Sequence, residues 1–400
     1  MEQGEHPVHA VVLSGGGAYA AYEVGILKGL TGGFVPCASG LPQISAVCGT
    51  SAGAFNAAFL LSRHSGEWLP AIQELEKVWR NRIAGDNCEN GVYRLRANPV
   101  EFLDPRCFLR DPARMLTRLG EDSAFLAQDW ARRAALFSAD TKHSLQDKVI
   151  ALVDMSSFFV MEPLVKLIRE TVELSKIRNS LIKLVIAATN WGTGNLEIID
   201  NQRMSDELGH LFIAASAAVP GFFPAVPIHN EPWVDGGVLL NTPLEPALRL
   251  GASTVHMIYM DPQLRHVPNT VLLNTMETFD RMMTVMGAGR INAAIAATRR
   301  INRGLKAISQ ALRGEPENRK LELLKLAGFT RSDGTPLQLV TIHRYHPQEE
   351  LGSLLGLLNF EASHVQMLIE KGFDDAVHHD CVKSECVLAE ETAIAGPAAG

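Results

Sequence analysis

Short apolar runs alternate with longer amphipathic stretches along this 400-residue chain. The apolar runs are rich in Val, Ile and Leu, which is typical of strands buried on both faces of a parallel sheet. They predict strands over residues 8–13, 44–48, 183–189, 255–260 and 338–343. Apolar residues at helical spacing predict helices over 18–30, 67–82, 276–313 and 361–377. Strands separated by helices indicate an α/β layer fold with a largely parallel sheet.

Three consecutive glycines, Gly15, Gly16 and Gly17, separate the first predicted strand from the helix that follows it. Glycine is the most costly residue to order, so this run indicates that the backbone itself is needed there. Its N–H groups suit two tasks, cradling a phosphate or facing a developing oxyanion. Residues 15–20 also match the dinucleotide pattern G-x-G-x-x-A, which needs an acidic residue about 20 positions later. No Asp or Glu occurs over 24–66, so the sequence disfavours a nucleotide site.

A second glycine-containing segment follows the next predicted strand. It reads Gly49-Thr50-Ser51-Ala52-Gly53, a G-x-S-x-G pattern between an apolar run and a helical pattern. A nucleophile elbow needs this context, because a sharp strand-to-helix turn holds the serine hydroxyl outward. The helix behind the serine also points its positive end at any negative charge that forms there. The two glycine segments together therefore favour acyl transfer by Ser51.

With these motifs the chain resembles the patatin-like phospholipases. Four blocks of that family occur in the family's order: the glycine run with the following AYEVGILKGL, the G-x-S-x-G segment, AASAAVPGFFPAV over 214–226, and Asp235-Gly236-Gly237. The resemblance covers residues 8–260 well and the C-terminal third loosely. It implies a three-layer α/β fold with a largely parallel central sheet flanked by helices.

The resemblance also implies a serine–aspartate dyad in place of a catalytic triad. Ser51 would be the nucleophile and Asp235 the base, and the N–H groups of Gly15, Gly16 and Gly17 would form the oxyanion hole. The remaining motif glycines that it marks are Gly49, Gly53, Gly236 and Gly237. The implied enzyme is a serine lipid acyl hydrolase of the phospholipase A or lysophospholipase type. Neither a metal nor an organic cofactor is implied.

One departure from the family leaves other functions open. Tyr19 and Ala20 stand where the family has Arg or Lys followed by Gly, so a cation beside the glycine run is missing. Alternatives are therefore a lipid-binding pseudoenzyme of the same fold, or an esterase or thioesterase for smaller acyl groups. A triad that joins Ser51 to a histidine is a further alternative. Its candidate histidines are His343, His346 and His364.

Composition limits the partners and the location. The formal net charge of −7 argues against a general nucleic-acid binder, since phosphate contacts need a concentrated basic surface. The six cysteines form no C-x-x-C pair and no zinc-type spacing, which predicts reduced thiols. The sequence shows no signal peptide or transmembrane segment, so we expect a cytoplasmic protein that can contact membranes peripherally. The expected partner is a phospholipid or another acyl-ester lipid, not a nucleic acid.

The chain divides into three expected parts. Residues 8–260 would form the catalytic domain, with a helical insertion over about 85–150 that is hard to interpret. Residues 261–384 would form a helical extension that completes the fold, and residues 385–400 a disordered tail. Within the extension, residues 290–313 combine an apolar stripe with several Arg and Lys. Such a helix either lies on an anionic bilayer or packs on the core with its basic face in water.

Overall fold

The computed structural model describes residues 8–38, 43–86, 88–96, 98, 101, 103–139, 159–261, 275–331, 334–352 and 354–389. The described residues form ten strands: β1 (Val8–Leu13), β2 (Ile44–Thr50), β3 (Arg94–Leu95), β4 (Phe159–Val160), β5 (Lys183–Asn190), β6 (Asn195–Asp200), β7 (Val226–Ile228), β8 (Glu231–Asp235), β9 (Ala252–Ile258) and β10 (Thr341–Tyr345).

Helices connect these strands in nearly every interval. The helices are α1 (Ala21–Thr31), α2 (Ala52–Arg63), α3 (Trp68–Val78), α4 (Pro105–Arg110), α5 (Pro112–Ala139), α6 (Glu162–Thr171), α7 (Leu174–Arg178), α8 (Gly209–Ser216), α9 (Gly237–Leu240), α10 (Leu244–Arg249), α11 (Thr275–Ala311), α12 (Glu317–Leu326) and α13 (Ala362–Val377). A short 3₁₀ helix, Gly17–Ala20, leads directly into α1.

One eight-stranded sheet organises the fold, in the order β10-β9-β1-β2-β5-β8-β7, with β6 paired to β5. The five strands from β10 to β5 run parallel to their neighbours. Strands β6 and β8 pair antiparallel with β5, and β7 pairs antiparallel with β8. The expected largely parallel sheet is confirmed.

Strand β1 shows how the sheet separates two hydrophobic cores. Successive side chains of a strand point to opposite faces. Val11 and Leu13 accordingly join a large core with helices α1, α2, α3, α8 and α13. Ala10 and Val12 join a second core, to which α10 and α11 contribute. Helices therefore cover both faces of the sheet, and the three-layer arrangement is confirmed.

The sequence pattern missed β3 and β4, which form a separate two-stranded sheet, and the three strands β6, β7 and β8 at the antiparallel side of the main sheet. In β6 polar residues interrupt the apolar ones, which is weaker evidence of a strand than the continuous apolar runs of β1 or β5. Strands β7 and β8 are short, and each contains a proline, Pro227 and Pro232, a residue that is confined to edges and strand ends. Their pairing comes from tertiary contacts, not from local pattern.

Helix α11 packs on the second core. Ile291 and Ile295 are buried there. Arg290 donates hydrogen bonds to the carbonyl oxygens of Val238 and Leu239, and Arg299 donates to that of Glu385. Two of the basic side chains are thus engaged with the protein backbone. The structure supports the alternative in which this helix packs against the core.

Two cysteines of the expected insertion are bonded in a way that the sequence did not predict. Cys88 and Cys107 form a disulfide, so the expectation of reduced thiols is wrong for this pair. The pair forms because α4 and α5 fold back onto the turn that carries Cys88, where Arg114 on α5 contacts Glu89 at 2.7 Å. Cysteine spacing alone could not predict this return of the chain. The free thiols are Cys37, Cys48, Cys381 and Cys386.

The C-terminal segment begins in ordered contact with the sheet. Val387 and Ile342 of β10 exchange two backbone hydrogen bonds, of 2.7 and 2.9 Å. Residues 385–389 of the expected tail therefore lie against β10. Residues 390–400, and residues 140–158 at the end of the expected insertion and beyond it, lie outside the described residues.

Candidate active site

Ser51 occupies the sharp turn between β2 and α2. Its backbone adopts φ 57° and ψ −126°, and it is the N-cap of α2. A positive φ is uncommon for a residue with a side chain and stores roughly 1–3 kcal/mol of strain, which the surrounding packing must hold. The positive end of the α2 dipole points toward this residue. The local geometry is the strand–turn–helix arrangement of a nucleophile elbow.

The two elbow glycines are required by close backbone packing. A Cβ atom on Gly49 would lie 2.6 Å from the carbonyl carbon of Gly53. A Cβ atom on Gly53 would lie 2.7 Å from the carbonyl oxygen of Ser14, at the end of β1. Both distances are far below ordinary van der Waals contact. Both positions of the G-x-S-x-G pattern therefore need glycine, because a side chain at either one would prevent the close packing of the turn between β2 and α2.

Sheet register brings Asp235 to the same place as Ser51. Strand β5 pairs with β6 along one edge, and its other edge is shared by β2, which pairs with residues 183–187, and β8, which pairs with residues 188–190. Thr50, the last residue of β2, pairs with Ala187 of β5, and Asp235, the last residue of β8, pairs with Ala188. The residue that follows Thr50 and the end of β8 therefore meet on the same edge of β5.

Asp235 is fully enclosed and has a strongly altered acidity. Burial raises the pKa of its carboxyl group from 3.8 to about 7, although the Ser51 hydroxyl and the Gly237 N–H lower it in part. The Gly237 N–H donates to Oδ1 at 2.6 Å. Within the described part of the chain, Oδ2 accepts no well-aligned hydrogen bond. One carboxylate oxygen is thus held in place while the other keeps a free lone pair beside the serine.

Ser216 links the two halves of the site. Its hydroxyl accepts a hydrogen bond from the Ser51 N–H at 2.9 Å and donates one to the Ala187 carbonyl at 2.6 Å. Two residues later, the Ala218 carbonyl accepts the Asp235 N–H at 2.9 Å. The family block over 214–226 therefore holds the backbone of both Ser51 and Asp235 in place through Ser216 and Ala218.

The glycine run passes directly over the serine. A Cβ atom on Gly15 would lie 2.9 Å from the Ser51 Cβ. The Gly15 N–H donates to the Asn241 carbonyl at 3.0 Å, and the Asn241 side-chain amide donates back to the Gly15 carbonyl at 3.1 Å. Gly17 has φ 54°, a left-handed conformation that favours glycine. Asn241 thus clamps the start of the loop, and the Gly15 N–H is already engaged.

The glycines after Asp235 serve two different purposes. A Cβ atom on Gly236 would lie 2.6 Å from the Ala187 carbonyl carbon, so only glycine lets β8 end so close to β5. Gly237 supplies the N–H that holds the Asp235 carboxylate. It also begins α9, where a Cβ atom would lie 2.9 Å from Asp235 Oδ1. Any side chain at either position would push on the carboxylate or its strand.

Tyr19 lies in the core behind the glycine run and away from solvent. It is 6% exposed, and its ring packs edge-on against His364 of α13 at 5.9 Å. Its hydroxyl fills the space over Gly352 and Gly356, where a Cβ atom would collide with it. The side chain therefore has a packing role. Its position does not match that of a cation facing an oxyanion.

We therefore expect Tyr19→Arg to destabilise the protein by about 2–4 kcal/mol and not to raise turnover, because the change buries an unpaired charge. Urea unfolding measures the free energy of unfolding. Tyr19→Phe keeps the ring and is the matched control, with an expected cost of about 1 kcal/mol. If Tyr19→Arg is as stable as the wild type and hydrolyses faster, the packing role is wrong.

The three candidate triad histidines occupy other environments. His343 of β10 stacks on His256 at 5.2 Å. His364 contacts Tyr19, and the Nδ1 atom of His346 lies 3.1 Å from the Pro347 carbonyl oxygen. These placements favour the dyad over the histidine triad.

A buried polar network beneath the glycine run was missed by the sequence analysis. Glu23 of α1 is fully buried and its pKa is raised well above its ordinary value by desolvation. The Asn56 amide donates to Glu23 Oε2 at 2.8 Å, and the Trp79 indole donates to Asn56 Oδ1 at 2.8 Å. These two hydrogen bonds connect α1, α2 and the segment after α3 behind the site. The available signal was a single acidic residue near the start of a mostly apolar helix.

The sequence profile of one protein family, described as Patatin-like phospholipase, matches residues 11–248. That match covers more than half of the chain and contains both glycine segments, Ser51 and Asp235. The chain belongs to the patatin-like phospholipase family. The resemblance inferred from the motifs is thus confirmed, and with it the fold class. At the level of the family, patatin-like chemistry is hydrolysis of lipid acyl esters.

This patatin-like chain has structural neighbours among solved proteins. No curated protein matches it. Among solved structures, VipD from Legionella pneumophila aligns with a TM-score of 0.36 and 15% sequence identity. The alignment covers 93% of this chain and 66% of VipD, so the chain spans a little under two thirds of that protein.

The described residues also form a cavity away from the patatin-like site. A cavity of about 820 Å³ lies between α5, α6 and the turn after α3, lined by charges of both signs that include Arg94, Glu101 and Lys166. Ser51 and Asp235 do not line it, so it is separate from the dyad. Among the helices described, none is both long and apolar enough to cross a bilayer.

Proposed function

We propose that this protein is a serine lipid acyl hydrolase, of the phospholipase A or lysophospholipase type, that works through Ser51 and Asp235. The observation that carries the proposal is the buried Asp235 carboxylate beside the elbow serine, with a pKa raised to about 7. A general base works best when its pKa lies near the operating pH. A solvent-exposed aspartate would be too weak a base for this step.

In the proposed mechanism, Asp235 takes the Ser51 hydroxyl proton while the serine oxygen attacks the acyl carbonyl carbon. The tetrahedral intermediate collapses, and protonated Asp235 gives its proton to the departing lipid alcohol. Asp235 then removes a proton from water, which attacks the acyl-serine. The second intermediate releases the fatty acid, and the proton returns to Ser51. No metal or organic cofactor takes part in these steps.

Backbone donors stabilise the oxyanion in both intermediates. The Gly15 N–H is bonded to Asn241, so the proposed hole relies on Gly16 and Gly17 and omits Gly15. The N-terminus of α2 adds a positive partial charge from beneath Ser51. Such fixed donors commonly lower the barrier by about 3–4 kcal/mol each.

Apolar side chains near the dyad suit a lipid acyl chain. Helix α9 starts two residues after Asp235, and its Leu239 is 37% exposed. Arg290 of α11 donates a hydrogen bond to the carbonyl of Leu239, so α11 contacts α9 at this point. On the turns of α11 that precede Arg290, Met282 and Met286 are 46% and 47% exposed. We assign these side chains to acyl-chain contact, although their helical spacing alone is typical of packing.

Membrane contact in this proposal uses the helical insertion. Leu109 of α4 and Leu116 and Trp130 of α5 are exposed, at 76%, 62% and 67%. Apolar side chains presented to solvent by an amphipathic helix insert into the boundary between headgroups and acyl chains. A peripheral protein with these contacts would meet its phospholipid substrate at the bilayer surface.

The test combines covalent labelling with a substrate panel. We expect a fluorophosphonate probe to label Ser51, as located by peptide mass spectrometry, and fatty acid to be released from phospholipid or lysophospholipid vesicles. Preferential hydrolysis of short-chain esters or thioesters would support the small-acyl alternative instead. Vesicle binding with neither labelling nor hydrolysis would establish the pseudoenzyme and refute the dyad.

A further inference from the structure

Four metal-ligating side chains converge at the edge of the sheet, away from the dyad. We call them the Cys2His2 cluster: Cys37, His343, His379 and Cys381. Each offers one ligand atom, and these atoms all lie within 4.8 Å of one another. Cys37 comes from the loop after α1, His343 from β10, and the last two from the segment that follows α13. Three remote parts of the chain therefore meet at this point.

The separations of sulfur and nitrogen in the cluster suit a tetrahedral ion. Cys381 Sγ lies 3.4 Å from His343 Nδ1 and 3.7 Å from His379 Nε2. Ligands at zinc–sulfur and zinc–nitrogen distances of about 2.3 and 2.0–2.1 Å in a tetrahedron are separated by about 3.5 Å. The two histidine nitrogens are thus already placed around one sulfur as a shared zinc ion requires.

The sulfur atoms of the two cysteines in the cluster lie close to each other. Cys37 Sγ and Cys381 Sγ lie 2.7 Å apart. Two zinc-bound thiolates are about 3.8 Å apart in a tetrahedron, so ion binding moves them outward by about 1 Å. Cys37 is half-buried on a loop, which permits this small movement.

Neighbouring groups orient the histidines. His379 Nδ1 lies 3.4 Å from the Ser384 hydroxyl. In the tautomer that donates its Nδ1 proton to this hydroxyl, the Nε2 lone pair is left for the cluster. The His343 ring is held by stacking on His256, with ring planes 12° apart. Both rings are buried, His343 and His379 each being 7% exposed. Support of this kind is characteristic of metal-binding histidines.

We propose that the Cys2His2 cluster binds one Zn²⁺ ion as a structural site. Two thiolates neutralise the ion, and two neutral imidazoles complete four-coordinate geometry without an open position for catalysis. The ion fastens the end of α13 and the following segment to β10 and to the loop after α1. Because α13 packs on α1 and α1 follows the glycine run, the site anchors the layer behind the dyad without touching it.

The test is metal analysis of the full-length protein, expressed with added zinc and purified under reducing conditions. We expect about one zinc per chain by mass spectrometry of the metal, and at least about a tenfold loss in Cys37→Ser and Cys381→Ser. Exchange with Co²⁺ should give the visible spectrum of tetrahedral cobalt with thiolate ligands. This spectral measurement uses the wild-type protein, so it remains decisive if the cysteine variants fail to fold.

Matched variants separate this site from the proposed catalysis. His379→Gln should lose zinc, whereas His378→Gln should keep it, because His378 is exposed and contacts Asp374. Ser51→Ala should also keep zinc, whatever its effect on hydrolysis. Wild-type protein without zinc and without the cobalt spectrum would overturn the proposal. So would a Cys37–Cys381 disulfide found by peptide mapping, or full zinc content in Cys381→Ser.

Discussion

Ser51→Ala should lower lipid hydrolysis by about 10⁴-fold or more and leave the fold intact. The substitution removes the nucleophile but trims a single hydroxyl, and the Ser51 contact that fixes the elbow uses the backbone N–H, bonded to Ser216. Release of fatty acid from vesicles measures the loss, and thermal unfolding checks the fold. The double variant with Asp235→Asn should be little worse than Ser51→Ala alone, since the two residues act as one unit.

Histidine variants are the opposing control for that prediction. We expect none of the substitutions to Gln at His343, His346, His364, His378 or His379 to match the loss seen for Ser51→Ala in a folded protein. Because His343 and His379 are ligands of the proposed zinc ion, their variants should lose metal and stability but retain turnover per folded molecule. One histidine variant that is folded and as inactive as Ser51→Ala would refute the dyad.

Asp235→Asn should reduce hydrolysis by about 10²–10⁴-fold, the usual contribution of a general base. The amide keeps the size of the carboxylate and can still accept the Gly237 N–H, but it cannot take the Ser51 proton. In the wild type, kcat/KM should rise with pH through about 7, because only the ionised carboxylate is a base. The residual activity of Asp235→Asn should lack this rise. A wild-type profile that is flat between pH 5 and 9 would contradict the role of Asp235.

Stability against pH gives an independent check on the buried carboxyl. Its folded pKa of about 7 lies above the ordinary value of 3.8, so the folded state holds the proton more tightly than the unfolded chain does. The stabilisation from this proton is complete below about pH 4 and is lost as the pH rises through 7. Asp235→Asn removes the titration. Its stability relative to the wild type should therefore increase between pH 4 and 8 and then level off.

Local pattern predicted the parallel half of the sheet because those strands are continuously apolar. Residues 8–13 form β1 with the predicted bounds, and β2, β5, β9 and β10 overlap their predicted ranges. The antiparallel side could not be predicted, since the short β8 is held by pairing with β5. The same limit explains Cys88 and Cys107, whose contact depends on how α4 and α5 return to an earlier turn.

The parts of the candidate site that consist of contiguous residues could be predicted from the sequence. The residue types around Ser51 and Asp235 identify an elbow and an acidic turn, and the family supplies their pairing. The contacts of Asn241 and Ser216 were missed because their hydrogen bonds are made to distant backbone atoms. Ser216 lies in the family block over 214–226, but the local sequence does not show which backbone groups it contacts. The Cys2His2 cluster was missed for the same reason, since Cys37 lies far in sequence from its three partners.

The central position of β1 has a consequence for how this chain is made. Val8–Leu13 is synthesised before the other strands of the sheet, yet it pairs with β2 on one side and with β9, which ends at Ile258, on the other. At translation rates of roughly 5–20 residues per second, β1 waits on the order of 10–50 s for its second neighbour. During that interval a nearly all-apolar strand has an open edge, the kind of template that recruits aggregation or chaperones. Yield of soluble protein should thus depend on translation speed and chaperone supply more than on the stability of the finished fold.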